Sequence, residues 1–71
     1  MQQTIYTDLV AAGQPVGNHE SDLYTPVNAV TIDLLRKHGI KTATTFRHQT
    51  TREFWFDIPF AFDPYWQARA R

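Results

Sequence analysis

The sequence predicts an α+β fold: about three strands in a mainly antiparallel sheet that ends in a C-terminal β-hairpin, with two helices packed on one face. Three observations lead there. Residues 4–12 and 25–38 repeat apolar side chains at helical spacing. Residues 40–48 and 53–60 are rich in β-branched and aromatic residues and alternate with a period of two. Seven of the ten aromatics lie between Phe54 and Trp66 (Phe54, Trp55, Phe56, Phe60, Phe62, Tyr65 and Trp66), which supplies most of the material for a small core.

The first helix is short. Ile5 and Leu9 stand four apart, as do Tyr6 and Val10, so two apolar ridges run side by side. Thr4 can cap its start, Gly13 can take the left-handed position after its end, and Pro15 forbids continuation. Such a helix is marginal in isolation and must dock. Residues 14–21 read as a loop on the strength of Pro15, Gly17, Asn18 and Ser21. Residues 22–25 read as a short strand around Leu23 and Tyr24.

The second helix should start with Thr25 as N-cap and Pro26 at the first helical position, where a missing N–H costs nothing. Val27, Val30 and Leu34 mark its apolar face, widened by Ile32 and Leu35. Arg36, Lys37 and His38 complement the dipole in its last turn before Gly39. In the strand over 53–60, Phe54, Phe56, Ile58 and Phe60 share one face and Trp55 and Asp57 the other. Pairing Phe46 with Phe54 around a turn centred on Thr50 sets Thr45 beside Trp55 and sends Arg47 to the face of Trp55 and Asp57. Phe46, Phe54, Phe56 and Ile58 would then meet Val27, Val30, Leu34 and Ile5 or Leu9 in the core. Pro59 has no ladder donor and should end the strand. Asp63 and Pro64 suit a final turn or short helix that lets Tyr65 and Trp66 fold back, and residues 67–71 should fray. Residues 1–71 read as one domain, with no repeat or linker.

Composition narrows the function classes. A chain this short hides only about 60% of its unfolded surface, and without cysteine it has no disulfide or thiolate metal site to staple it. That cysteine usage and the lack of a signal-like N-terminus suggest a cytoplasmic protein with no membrane segment. Net charge is zero, but residues 1–35 carry four acids and no Lys or Arg, whereas residues 36–71 carry seven basic residues and three acids. The two halves can complement each other, or the basic one can meet an anionic partner. A zero total weakens long-range attraction to nucleic acid.

Asn18, His19, Glu20, Ser21 and Asp22 are the densest group of chemically able side chains. They could serve proton transfer or a metal, yet they lack metalloprotease spacing, and Asn18, Ser21 and Asp22 equally suit local backbone bonding. His38 suits a helix-end cation, and His48, next to the hairpin turn, a solvated side chain. With no phosphate loop, nucleophile elbow or paired carboxylates, the expectation is a non-enzyme with no catalytic residue, metal or cofactor. The surplus of aromatics points instead to a binding surface. Trp55, Arg47 and Asp57 form its expected centre, with Arg52, Tyr65 and Trp66 around it, and either another protein or a second copy would dock there. Arg47, His48, Arg52, Trp55, Trp66, Arg69 and Arg71 also have the makings of a single-stranded nucleic-acid platform, but Glu53, Asp57 and Asp63 interrupt it.

The stretches Asn18-His19-Glu20-Ser21-Asp22-Leu23-Tyr24-Thr25-Pro26-Val27 and Phe54-Trp55-Phe56-Asp57-Ile58-Pro59-Phe60 through Trp66 resemble small uncharacterised proteins carried by bacteriophages, prophages and plasmids of proteobacteria. They cover about a third of the chain. The resemblance transfers no functional residue. It implies a host-interaction role, such as blocking a defence nuclease or another host complex.

Overall fold

The computed structural model describes residues 4–59. Their order is α1 (Ile5–Ala11), β1 (Gly17–His19), β2 (Asp22–Pro26), α2 (Ala29–Lys37), β3 (Thr44–Arg47) and β4 (Phe54–Ile58). The strands form one antiparallel sheet in the order β1-β2-β4-β3. The fold class is the expected α+β, with a fourth strand inside the stretch read as a loop. β1 carries no large apolar residue, so its pairing with β2 sets its conformation: Asn18 lies opposite Leu23 and His19 opposite Asp22. Between them Glu20 adopts φ 56°, a left-handed conformation unusual outside glycine.

Both helices begin with a reciprocal cap. Thr4 and Thr7 exchange side-chain bonds with each other's backbone N–H at the start of α1. Asn28 and Thr31 do the same for α2. The N-cap of α2 is therefore Asn28, three residues beyond the expected Thr25. Thr25 and Pro26 close β2 instead, because Thr25 lies opposite Phe56 and Pro26 opposite Trp55. The buried Thr25 hydroxyl donates to the Pro15 carbonyl at 2.9 Å and the buried Thr31 hydroxyl to that of Pro26 at 2.6 Å, so neither is left unsatisfied.

The core consists of Ile5 and Leu9 of α1, Leu23 of β2, Leu35 of α2 and Ile58 of β4, with Leu34, Ile40, Ala43 and Phe56 packed against it. Leu23, Phe56 and Ile58 share one sheet face by register and alternation, so both helices lie on that face. The expected core is corrected in four places, the first being Val27, which precedes α2 and stays outside the cluster. α2 turns Thr31 and Leu35 inward and leaves Val30 exposed, and neither Phe46 nor Phe54 joins the cluster. α1 and α2 are also joined by a bond the spacing did not suggest: His38 Nε2 lies 2.6 Å from Oδ2 of the buried Asp8.

The β3–β4 register is displaced by one residue from the expected one. Phe46 lies opposite Trp55 and Arg47 opposite Phe54. A slip of one exchanges faces, so Phe46 moves to the face of Trp55, and Thr45 and Arg47 move to the helix-bearing face. The cause lies in the loop. The His48 N–H bonds the Glu53 carbonyl at 2.7 Å, and four residues, Gln49 to Arg52, fill the connection. Arg52 holds φ 66°, the left-handed step that lets a four-residue loop close.

Candidate functional site

The register sorts the expected binding residues onto two surfaces. On the helix-bearing face, beyond the helices, Phe54 keeps 53% of its surface exposed. The Arg47 guanidinium stands 5.1 Å from the Phe54 ring centroid, within cation–π range. Its Nη1 also donates to the Arg52 carbonyl at 3.4 Å. Arg47 and Arg52 are exposed, so this corner presents an aromatic ring under one cation, which is held in turn by the Arg52 backbone.

On the opposite face Tyr24, Phe46 and Trp55 come together. Tyr24 and Phe46 meet edge-on with centroids 5.1 Å apart. The Trp55 ring lies 4.6 Å from His48 at an interplanar angle of 35°. His48, half-buried, also organises the loop: its Nδ1 accepts the backbone N–H groups of Thr50 and Thr51 at 3.2 and 3.3 Å. Trp55 does project away from the helices, as alternation requires, but it retains only 9% exposure. The expectation of an open indole flanked by Arg47 is corrected, since Arg47 belongs to the other face and Phe46 takes its place. Tyr65 and Trp66 lie outside the described residues, as do Phe60 and the expected turn at Asp63.

Asp57 does share the Trp55 face and lies between Tyr24 and Thr44. Its pKa is raised, first by burial, then by hydrogen bonding with the Asp22 carboxyl and by that group's charge, while His19 pulls the other way. The Tyr24 phenol is raised too, by partial burial and then by the carboxylates of Asp57, Asp22 and Glu20. The polar group at 18–22 is therefore drawn into the sheet, with Asn18 and His19 on β1 and Asp22 on β2. Among the described residues, no three His, Cys, Asp or Glu side chains converge as metal ligands would. Among the described residues, the buried Trp55 Nε1 and Asp57 Oδ1 on this face find no hydrogen-bond partner.

A concavity of about 150 Å³ lies between α1 and β1, lined by Tyr6, Val16, Gly17, Asn18 and Leu23. Small-molecule sites usually start near 300 Å³. No described helix is long and apolar enough to cross a membrane.

Of the residues at the exposed corner, the sequence pattern singled out Arg47 and Arg52 but not Phe54. Phe54 falls in the apolar row of its strand, and only the reach of the helices shows that the row outruns its cover. Compared with known protein families, curated proteins and solved structures, the chain matches none.

Proposed function

We propose that the chain is a small non-enzymatic protein-binding module that docks through the corner formed by Phe54, Arg47 and Arg52. The observation that carries this reading is the half-exposed Phe54 ring under the Arg47 guanidinium. A chain with so little core leaves this large aromatic uncovered, beside the residue type that, with Trp and Tyr, dominates binding hot spots. Trp55, stacked behind the loop on His48, stiffens the corner from the other face. The resemblance to proteins of mobile elements points to a partner from the host cell.

The test is capture from host lysate on the immobilised full chain, wild type beside Phe54→Ala and Arg47→Ala. Each variant should lose the captured protein and still melt within a few degrees of wild type, because exposed substitutions change stability by about 0.5 kcal/mol or less. Capture that persists in the double variant would remove this surface from consideration. Trp55→Ala is the weaker probe: at 9% exposure the indole contributes to folding, and its loss leaves a cavity.

A further inference from the structure

We infer that the partner adds an extended strand to the outer edge of β3, and that this strand alternates acidic with apolar side chains. β3 stands at the end of the sheet. In an antiparallel pair, backbone groups point alternately toward the partner strand and away from it. The His48 N–H bonds the Glu53 carbonyl, which fixes the phase. His48, Phe46 and Thr44 turn their backbone groups toward β4, and Thr45 and Arg47 turn theirs outward. The Val27 N–H, bonded to the Phe54 carbonyl at 3.0 Å, agrees, since it places the alternate residues of β4 toward β2. Thr45 and Arg47 thus offer two N–H donors and two carbonyl acceptors at strand spacing.

Edge strands are commonly blunted by proline, by a bulge or by a charged side chain thrown across the edge. β3 reads Thr-Thr-Phe-Arg and contains no proline. Its one charge is drawn aside, because the Arg47 guanidinium is held over Phe54 and against the Arg52 carbonyl. Among the described residues the edge therefore remains open, as an acceptor of a strand requires.

Side-chain chemistry then selects the occupant. A strand laid on β3 would present alternate residues to its two faces. One row would meet Thr45 and Arg47, with Arg52 nearby. The other would meet Thr44 and the half-buried Phe46. Between residues 41 and 53 there are three cations, Lys41, Arg47 and Arg52, against the single carboxylate of Glu53. A second copy pairing β3 with β3 would bring these cations together, whereas acidic residues in the row facing Arg47 would meet opposite charge. Apolar residues in the other row would extend the contact between Phe46 and Tyr24.

This inference rests on the protein-binding reading above and deepens it. The test uses the isotopically labelled full chain and a blocked synthetic peptide of alternating Glu and Val. Controls are a Lys–Val peptide and a Glu–Val peptide methylated on the pairing backbone nitrogens. Saturating Glu–Val should slow amide exchange at Thr45 and Arg47 by about tenfold or more, while both controls leave it unchanged, and Arg47→Glu should shift the preference to Lys–Val. Unchanged exchange at these amides, or equal slowing by the Lys–Val peptide, would overturn the proposal. So would slowing that grows with protein concentration in a peptide-free sample, which would assign the edge to a second copy. The two readings fail separately. A protein captured through Phe54 while the Thr45 and Arg47 amides exchange unchanged sinks strand addition alone, and capture indifferent to Phe54 sinks the docking corner.

Discussion

β2 and β3 both pair antiparallel with β4, one on each side, yet they have opposite fates. β2 alternates buried and half-buried positions and places Leu23, 1% exposed, in the core. β3 is exposed at three of its four residues. Their propensities do not explain this, since the threonines of β3 suit a strand at least as well as the Asp22 and Pro26 of β2. The helices do. α1 and α2 cover the β2–β4 half of the sheet, and their apolar faces stop short of β3. Strand pairing therefore fixes position, while helix cover decides whether a strand serves stability or surface.

The sharpest way to break this comparison is a matched pair of truncations. Leu23→Ala should cost about 2–5 kcal/mol, most of the margin of so small a domain. Thr45→Ala, on the edge strand, should cost about 0.5 kcal/mol or less. Urea unfolding measures both, and equal losses would show that β3 carries structural weight the burial pattern hides.

The next effect concerns the cover itself. Asp8 and His38 bind α1 to α2 through a 2.6 Å contact at a buried carboxylate. Asp8→Ala should cost about 1.5–3 kcal/mol, the range for a hydrogen bond to a charged group. The Asp8→Ala/His38→Ala double variant should cost much less than the sum of the single ones. Strict additivity in thermal melts would mean that the two residues stabilise the helices independently.

The smallest effect tests the face of β4 turned away from the helices. The pKa of folded Asp57 is raised above its ordinary 3.8. The folded state therefore holds this proton more tightly than the unfolded chain does. The resulting stabilisation is complete below the ordinary value and is lost as pH rises through the folded one. Asp57→Asn, which keeps the shape without the charge, should raise the melting midpoint modestly near pH 7 and leave it unchanged near about pH 3. A variant less stable than wild type at neutral pH would show that the ionised carboxylate is needed there.

Local chemistry was legible in the sequence. Thr4 and Gly13 bound α1 as their types suggest, and Gly39, at φ 67°, follows α2 in the left-handed conformation. Alternation placed Trp55 and Asp57 on one face of β4. What failed was long-range. Thr25-Pro26 is a legitimate helix start, but pairing with β4 claimed it, and Asn28 with Thr31, three residues further on, took over. The hairpin register depends on a loop length that Gln49-Thr50-Thr51-Arg52 does not announce, and a single residue of error moved Arg47 across the sheet. Asp8 and His38 lie 30 residues apart, with nothing local to join them.

The strand order also has a temporal consequence. β2 and β4 are neighbours in the sheet, yet Leu23 meets Ile58 only after α2 and the whole of β3 have intervened. Each flanking hairpin closes through a short loop, while the central seam must close a long one, which is the slower event. On the ribosome, β2 and both helices emerge with their apolar sides bare and wait for the segment that completes them. A nascent chain stalled before Phe54 would be a set of unsatisfied surfaces, the form on which chaperones and proteases act.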